Sequence, residues 1–430
     1  MGKDIGIGLL GLGVVGSAVA NVLVTKAGKL ARQLGASLVL KKALVREVTK
    51  QRSIKLEPGI LTKHAEEVIT NPEVDIVIEV VGGEHPALGY IEQAITSGKH
   101  VVTANKEVIA KYGYKLLSLA QEHNVDLRYE ATVGSGIPLI SPFLQDLAAN
   151  EISAIYGILN GTTNYILTRM AQEGLDFPSA LKQAQNLGYA EADPANDIEG
   201  LDTAYKLGIL SSLAFHTAVN PQDIYCEGIS RLAAQDFRYA EEFGYAIKLL
   251  AIAKGEGKYI EVRVHPTFVS QNSQLAKVDG VYNAIQVEGS LAGKLVFYGQ
   301  GAGALPASSA IMADVLTIAR NIRREVSNIP RLELNQKLTV KPMSNVRTRY
   351  YFRLNVTDRP GVLAQISKVL GDNSISISSV IQKESGLESQ TAVIVIMTHP
   401  AEEKAVQRAL KDVEQLAVVN EISNFVRVEG

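Results

Sequence analysis

The sequence predicts an α/β protein with three structural units, which three patterns along the chain indicate. In the first 130 residues, short runs rich in Val, Ile and Leu alternate with amphipathic stretches, as in a parallel sheet with helices on both faces. From about Ile137, longer helical stretches mix with strand candidates, which is typical of an α+β domain. The last part reads strand–helix–strand–strand–helix–strand, the order of a small ferredoxin-like domain.

The first unit is predicted from its alternating elements. Its strands are IGIGLL, SLVLKKALV, VDIVIEVV, HVVTA and VDLRYEATV, and its helices are VVGSAVANVLVTKAGKLARQL, HPALGYIEQAITSG and NKEVIAKYGYKLLSLAQEH. A later helical stretch, ASSAIMADVLTIARNIRRE, is expected to pack back on this unit. We therefore predict a first domain of residues 1–134 together with about 302–328.

The other two units follow from the same criteria. For residues 135–301 the helix candidates are PLISPFLQDLAA, TNYILTRMAQEG, PSALKQAQNLG and GLDTAYKLGILSSLAFH, and the strand candidates are ISAIYGIL, YIEVRVHPTFV, NAIQVEG and LVFYG. A polar linker is predicted at 329–348. The last domain, 349–430, has the strands YYFRLNVTD, ISISSVIQKE, SQTAVIVIMTH and EISNFVRVE, and the helices PGVLAQISKVLGDN and AEEKAVQRALKDVEQL.

Composition and charge argue against several classes of function. The net charge of −2 gives no basic excess for nucleic acid, and no apolar run approaches the ~20 residues of a membrane span. With no signal-peptide pattern and a single cysteine, we expect a cytoplasmic protein with neither nucleic-acid nor membrane partners. Catalysis by Cys226 is the weaker interpretation of that residue, because the nearest histidine, His216, has no evident orienting partner.

The motif GLGVVG follows the first strand candidate and opens a helix. Gly11, Gly13 and Gly16 have the G-x-G-x-x-G spacing, which permits a tight turn, close approach of a pyrophosphate and close packing of helix on strand. The helix that begins at Val14 and Val15 would present its free N–H groups to the anion. In this context the motif predicts a Rossmann-type dinucleotide-binding domain rather than a simple turn.

The residues after the next strands predict the rest of the cofactor site. Arg46, followed by Lys50, stands where an acid would bind a ribose hydroxyl, which favours NADP. The adjacent Glu47 keeps NAD possible, and solvated loop charges are a further alternative. Thr103 and Lys106 lie in TANK, at the carboxyl edge of the sheet where such folds bind ligands, and Gly82 is assigned to the same site.

The stretch EADPANDIEGLDTAYK crowds five carboxylates into sixteen residues. It fits no calcium-loop pattern and contains no histidine or cysteine, so a metal site is a weak interpretation. Asp193 and Glu199 are interpreted as a solvated turn. Asp202 and Lys206 are four residues apart at the start of an apolar helix and share a face, so the pair could exchange a proton near neutral pH.

Together with that stretch, the motifs GLLGLGVVG, TANK, EATVGSGIP and NGTTN resemble homoserine dehydrogenase in order over nearly the first 325 residues. The resemblance implies the reversible NAD(P)H-dependent reduction of L-aspartate-4-semialdehyde to L-homoserine, in threonine, methionine and isoleucine biosynthesis. It implies that Lys206 donates the proton and Asp202 orients it, while Lys106 can share the acid–base role. The implied substrate-binding residues are Glu191, Asp197, Gly161, Thr162 and Thr163.

The resemblance also implies a monovalent cation, usually Na⁺, bound mainly by backbone oxygens. The matching residues are Glu130, Val133, Ser135 and Ile137. Ser135 stands where alanine or glycine is more usual in the family that the chain resembles. Without the resemblance, the segment is interpreted only as a turn after a strand. A second glycine-rich loop is expected to close over the cofactor at Gly301, the alternative being a flexible connection.

The C-terminal unit looks like an ACT domain, because VTDRPGVL follows its first strand. The resemblance implies an amino-acid ligand, here L-threonine as feedback inhibitor, and edge-to-edge pairing into a homo-oligomer, a dimer or tetramer. The implied ligand residues are Asp358, Pro360, Gly361, Val362 and Leu363, and the alternative is a dimerisation module without ligand.

Two other functions explain the sequence less well. Another Rossmann-type oxidoreductase, acting on a different semialdehyde or hydroxy acid, would not explain Glu191, Asp202 and Lys206 in register. A non-catalytic amino-acid or nucleotide sensor would be favoured by loss of Lys106 or Lys206, and both are present. The dehydrogenase is therefore the predicted function.

Overall fold

The computed structural model describes residues 4–52, 54–326, 334, 337–384 and 390–429. The chain divides into two compact units. The first contains Met1–Ile152, Tyr205–Gln222 and Val287–Lys337, and the second contains Ser153–Ala204, Asp223–Gln286 and Leu338–Gly430.

The elements of the chain up to residue 144 alternate as predicted. They are β1 (Ile5–Leu10), α1 (Val14–Thr25), α2 (Ala27–Leu34), β2 (Leu38–Leu44), β3 (Leu61–Thr62), α3 (Glu66–Ile69), β4 (Ile76–Glu79), α4 (Ala87–Thr96), β5 (His100–Thr103), α5 (Lys106–Glu122), β6 (Leu127–Arg128) and α6 (Ile140–Leu144).

The middle of the chain mixes helices and strands. Its elements are β7 (Ile152–Ile158), α7 (Gly161–Glu173), α8 (Phe177–Asn186), α9 (Ala195–Ile198), α10 (Leu201–Ala214), β8 (Tyr225–Cys226), α11 (Ala234–Glu242), β9 (Tyr245–Glu256), β10 (Tyr259–Ser270), β11 (Tyr282–Gly289), β12 (Gly293–Gln300) and α12 (Ala304–Arg324). The elements that follow are β13 (Thr339–Val340), β14 (Arg347–Thr357), α13 (Val362–Asp372), β15 (Ile377–Glu384), β16 (Thr391–Thr398), β17 (Ala401–Glu402), α14 (Glu403–Glu414) and β18 (Val419–Glu429).

The first unit contains a parallel sheet with the strand order β3-β2-β1-β4-β5-β6. This is the strand order of a Rossmann-type fold, in which ligands bind at the carboxyl ends of the strands where the order reverses, between β1 and β4. Helix α12 packs on the sheet, with Ile311, Val315 and Ile318 buried in the same core as Ile7 and Leu9. Most of the stretch ASSAIMADVLTIARNIRRE, which was expected to pack back on the first unit, lies in this helix.

The stretch 14–34, predicted as one helix, is two helices that meet at a bend of 71° at Lys26. A straight helix of that length would extend about 30 Å and leave the core. The bend instead brings Leu30 and Leu34 of α2 into the core that already contains Leu23 of α1. In the described part of the chain, no single helix is long and apolar enough to span a membrane, and only this bent pair passes by length and composition.

The second unit contains a mixed sheet with the strand order β11-β7-β9-β10-β18-β14-β16-β15. The long hairpin of β9 and β10 lies near its centre, with residues paired from Tyr245 to Ser270. Strand β9 was missing from the sequence-based prediction, and the short helix α11 was missing with it. Seven consecutive residues of β9 are buried, so its apolar run shows no alternation that would distinguish it from a buried helix.

The last four long strands have the order β18-β14-β16-β15 with antiparallel neighbours, and they bury one face against α13 and α14. The predicted ferredoxin-like order is confirmed. The same β18 also pairs in parallel with β10, Arg427–Glu429 lying beside Thr267–Val269. Strand β13, inside the predicted linker, pairs with β10 as well. The middle and last parts of the chain therefore share one sheet, while the predicted domain boundaries stay predictions.

Candidate active site

The glycine-rich turn after β1 contains glycines with different structural roles. Gly11 has a φ of +102°, and a Cβ there would lie 2.9 Å from the carbonyl oxygen of Val80. A Cβ on Gly16 would lie 2.1 Å from the carbonyl oxygen of Gly11. A Cβ on Gly13, the N-cap of α1, would meet no atom within 4 Å. The fold itself does not require a glycine at position 13. The open space beside Gly13, at a helix N-terminus, is what a pyrophosphate needs.

A cavity of about 810 Å³ lies beside this turn, at the carboxyl ends of the first strands. Its lining contains four of the residues predicted for the cofactor, Gly11, Gly13, Arg46 and Lys50. Arg52 lines it too, but its guanidinium donates to the carbonyl oxygens of residues 47, 48 and 50 and thereby shapes the loop. Arg46 is exposed at this cavity, so its guanidinium can reach a ligand there.

The other residues predicted for the cofactor lie elsewhere around the first unit. Val14, whose side chain is exposed, and Val15 begin α1. Gly82 has a φ of +82° in the loop after β4, and Lys106 is the first residue of α5. Gly301 lies between β12 and α12.

A buried acid that the sequence analysis missed connects two of these loops. Glu79, the last residue of β4, accepts hydrogen bonds from the Thr103 hydroxyl at 2.6 Å and from the N–H of Val81 at 2.7 Å. The Thr103 hydroxyl is therefore committed to the protein, and any contact with a cofactor falls to its backbone or methyl group. The available signal was the acid that directly follows the apolar run Ile76–Ile78 in VDIVIEVV.

On the substrate side, Asn160 joins two of the predicted carboxylates. Its side-chain amide donates to Asp197 at 2.7 Å and to Asp202 at 2.9 Å. Its side-chain oxygen accepts from the backbone N–H and the hydroxyl of Thr163, which makes Asn160 the N-cap of α7. The bonds of Asn160, the first residue of the motif NGTTN, span 37 and 42 residues and cannot be inferred from spacing.

Asp202 and Lys206 lie one turn apart on α10, as their spacing predicted. The two residues are 4% and 8% exposed, so both charges are largely withdrawn from water. Charges removed from water interact more strongly and are costly unless they have polar partners. The two residues are thus a buried acid and a buried amine one turn apart on the same helix.

The remaining residues predicted for the substrate have distinct environments. Glu191 is exposed between α8 and α9, and within the described residues its carboxylate accepts no hydrogen bond. Thr162 donates its hydroxyl to the carbonyl oxygen of Tyr189 at 2.7 Å. Gly161 allows a close approach, because a Cβ there would lie 2.7 Å from the carbonyl oxygen of Val281. Glu191 is thus the carboxylate of this group that is open to a ligand.

Cys226 is not suited to nucleophilic catalysis. Burial raises the pKa of its thiol to about 12, and the nearby Glu199 adds to this rise. The thiol is therefore protonated at neutral pH, whereas the thiolate is the reactive form.

The predicted cation segment contains an acid with a structural task. The carboxylate of Glu130 accepts the backbone N–H groups of Leu139 at 2.5 Å, Ile140 at 2.8 Å and Ser141 at 2.8 Å. It thus occupies the N-terminus of α6, where negative charge is favoured. Since the side chain is used, only the backbone carbonyl of Glu130 remains for a cation.

The chain bends sharply through the rest of this segment. Ser135 has a φ of +49°, a left-handed conformation that a residue other than glycine adopts at some cost. Gly134 lets the carbonyl oxygen of Ile137 approach to 2.5 Å of where its Cβ would lie, and Val133 is buried beside it. In the described ranges, no group of three or more His, Cys, Asp or Glu residues could hold a metal ion, so any cation here would depend on backbone oxygens.

The turn predicted for a regulatory ligand lies between β14 and α13. Asp358 and Pro360 are exposed, and Gly361, the N-cap of α13, has a φ of +90°. The helix begins at Val362, which is buried, and Leu363 is half-buried. The first N–H groups of an eleven-residue helix are thus next to an exposed turn.

The Rossmann-type sheet, with an open glycine at the first helix N-terminus, and the buried Asp202–Lys206 pair define a dinucleotide-dependent oxidoreductase. Comparison with known proteins agrees. The family model "Homoserine dehydrogenase" matches residues 138–316, "Homoserine dehydrogenase, NAD binding domain" matches 11–130, and "ACT domain" matches 350–418.

Individual relatives extend this similarity to the whole chain. A homoserine dehydrogenase of Neisseria gonorrhoeae is 42% identical over 434 residues, covering 100% of this chain and 99% of the relative. A crystal structure of a homoserine dehydrogenase from Thiobacillus denitrificans has a TM-score of 0.92 at 42% identity, covering 100% of this chain and 99% of that one. A hyperthermophilic archaeal homoserine dehydrogenase in complex with NADPH has a TM-score of 0.62 at 25% identity, covering 74% and 98%.

The chain belongs to the homoserine dehydrogenase family. It is an oxidoreductase with an NAD(P)-binding domain and a C-terminal ACT domain, and its reaction interconverts L-aspartate-4-semialdehyde and L-homoserine.

Replacing Gly13 with alanine is expected to weaken NAD(P)H binding at least fivefold without lowering stability. The new methyl group would fill space that the fold leaves open, and overpacking costs about 1–3 kcal/mol. In Gly16→Ala the methyl group meets backbone instead, so the thermal midpoint should fall. Calorimetric titration and thermal unfolding of both variants would check this, and an unchanged affinity in Gly13→Ala would contradict it.

Proposed function

We propose that Lys206 is the proton donor of the reduction and that Asp202 orients it. The reduced nicotinamide, when bound, would supply a hydride to the aldehyde carbon, and the carbonyl oxygen of the substrate would take up the C=O π electrons. Lys206 donates a proton from Nζ to that oxygen and is reprotonated from solvent, with Lys106 able to share the acid–base role. The observation that carries the proposal is the burial of Asp202 and Lys206 on one face of α10, with Asp202 also bonded to Asn160.

We propose that the amino-acid end of the substrate is bound by carboxylates. The exposed Glu191 suits the substrate ammonium group, because its own carboxylate is open to a ligand. Asp197 supports the site through Asn160. Gly161 and Thr162 would line the pocket. Thr163 acts by fixing Asn160, since its hydroxyl is buried and already bonded.

We propose NADP as the preferred cofactor, with NAD as an alternative. Arg46, exposed at the cavity, would contact a 2′-phosphate, and Lys50 would add positive charge. The archaeal relative in complex with NADPH gives independent support. Gly11, Gly13, Val14, Val15 and Gly16 would surround the pyrophosphate, and Gly82, Thr103, Lys106 and Gly301 the nicotinamide side.

Three further properties belong to this proposal. The bent segment from Glu130 to Ile137 would hold Na⁺ through backbone oxygens of Glu130, Val133, Ser135 and Ile137, and the ion would supply fixed positive charge that orders the segment. L-Threonine would bind at the turn Asp358–Leu363 and inhibit. The chain would work as a homo-oligomer, dimer or tetramer, in the cytoplasm.

Oxidation of NADPH in the presence of L-aspartate-4-semialdehyde tests the proposal. We expect turnover with NADPH to exceed turnover with NADH, and Arg46→Glu to reduce that preference by about tenfold, equivalent to about 1.4 kcal/mol. L-Threonine should inhibit the wild type, and Asp358→Ala should remove inhibition without changing basal kcat. A preference unchanged in Arg46→Glu would remove Arg46 from the cofactor site, and inhibition unchanged in Asp358→Ala would remove this turn.

A further inference from the structure

The carboxylate of Glu79 is fully buried at the carboxyl edge of the parallel sheet, with 0% exposure. One carboxylate oxygen accepts the backbone N–H of Val81 at 2.7 Å and that of Gly82 at 3.4 Å. The other accepts the hydroxyl of Thr103 at 2.6 Å. Burial raises the pKa of Glu79, whereas these donors lower it. Burying a carboxylate costs free energy unless the group is hydrogen-bonded, so we asked what these hydrogen bonds of Glu79 hold in place.

The hydrogen bonds continue from Glu79 to the start of α5. Thr103 accepts the backbone N–H of Asn105 through its hydroxyl oxygen at 3.0 Å. The side chain of Asn105 then donates to the carbonyl oxygen of Gly83 at 2.7 Å and accepts the N–H of Val108 at 3.2 Å, which caps the helix. The result is a closed ring that ties the loop after β4 to the loop after β5.

The sheet itself does not depend on this ring. Strands β4 and β5 already pair through their backbones from Ile76 to Glu79, and the N–H of Ala104 donates to the carbonyl oxygen of Glu79. What the side chain of Glu79 adds is the position of the two loops beyond the strand ends. One of these loops contains Gly82 and the other leads directly to Lys106.

We propose that Glu79 is a positioning residue of the reaction, which fixes Lys106 through Thr103 and Asn105 and fixes Gly82 on the neighbouring loop. The inference rests on the roles proposed above for Lys106 and Gly82. Its physical basis is that a reacting group misplaced by about 1 Å can lose about a hundredfold in rate. Glu79 itself has no access to the substrate, because it is fully buried.

Three substitutions separate the effect of the hydrogen-bonded ring from the effect of the charge. Glu79→Gln keeps an acceptor for Val81, and its amide can donate to the Thr103 oxygen, so the ring survives. Glu79→Ala removes every bond from this side chain, and Thr103→Val breaks only the link toward α5. We expect kcat to fall at least tenfold in Glu79→Ala and in Thr103→Val, and to stay within about threefold of wild type in Glu79→Gln.

The test measures kcat per cofactor-binding site, with the number of sites counted by NADPH titration of each variant. Loss of folded protein lowers the number of sites but not the rate of each. A matched control is Asp126→Ala, which removes another buried carboxylate of the same sheet. Asp126 directly precedes β6, at the amino ends of the parallel strands, whereas Glu79 lies at the carboxyl ends. This control should lower the thermal midpoint but leave kcat per site unchanged.

A double-mutant cycle with Lys106→Ala completes the test. Glu79 acts on kcat through Lys106, whereas its effect through Gly82 falls on cofactor affinity. Glu79→Ala should therefore lower kcat at saturating cofactor by less than a further threefold once Lys106 is absent. If the losses of kcat in Glu79→Ala and Lys106→Ala multiply in the double variant, the inference about Glu79 is wrong. It is also wrong if Glu79→Ala, like Asp126→Ala, leaves kcat per site unchanged. Neither result would affect the role proposed for Lys106. If Lys106→Ala leaves turnover intact, the role proposed for Lys106 fails together with the inference about Glu79.

Discussion

Replacing Lys206 with alanine is expected to lower kcat for aldehyde reduction by about 10²–10⁴-fold while NADPH affinity stays unchanged. The alkoxide that forms on hydride transfer needs a proton, and Lys206 is the buried amine one turn from Asp202. A general acid must be protonated to act. The Lys206→Ala variant should therefore lose the limb of the pH–rate profile on which the wild-type enzyme depends on a protonated general acid.

Lys182→Ala provides the control, because Lys182 is exposed on α8. Its kcat should equal that of wild type. The measurement is steady-state turnover across pH for both variants, beside Lys106→Ala. A Lys206→Ala enzyme within tenfold of wild type that still shows the limb would assign the proton to another group, and a stronger effect of Lys106→Ala would identify Lys106.

Replacing Arg427 with methionine is expected to lower the free energy of unfolding by about 3–5 kcal/mol. Arg427 is fully buried on β18 and donates two bonds to Glu403, at 2.6 and 2.9 Å, and one to Glu227 at 2.7 Å. Removing the guanidinium leaves both carboxylates without their cation. The loss should appear as a lower midpoint of urea unfolding.

Arg408→Met provides the matched control, since Arg408 is exposed on α14 and its loss should change stability by less than about 0.5 kcal/mol. A second variant, Arg427→Met with Glu403→Leu, should recover part of the stability, because an apolar pair can replace a buried ion pair. If Arg427→Met is no more harmful than Arg408→Met, the charge cluster does not stabilise the fold.

Local patterns in the sequence were sufficient to predict much of the fold and site. The spacing of Gly11, Gly13 and Gly16 after an apolar strand predicted the nucleotide turn, because Gly11 and Gly16 allow close backbone contacts and Gly13 leaves open space at the helix N-terminus. The four-residue spacing of Asp202 and Lys206 predicted their common helix face. The order of elements after residue 349 predicted the small domain, since each strand there alternates or is bounded by turn residues.

Features that depend on distant parts of the chain were not predictable in this way. Asn160 meets Asp197 and Asp202 only in the folded protein, and Glu79 meets Thr103 across 24 residues. Strand β9 was missed because burial on both faces removes the period of two on which strand prediction depends. The pairing of β18 with β10 has no local signature at all.

That shared sheet changes how allosteric control by the last domain can be studied. A chain ending before β14 would leave part of the edge of β10 without its partner strand and Asp236 without Arg353. An uncovered strand edge favours aggregation, so lost inhibition in such a fragment would not identify a ligand site. The last domain is joined to the middle of the chain by strand pairing within one sheet, and not only by the connecting segment. Single substitutions in the exposed turn Asp358–Leu363 test the proposed ligand site without removing a strand from the shared sheet.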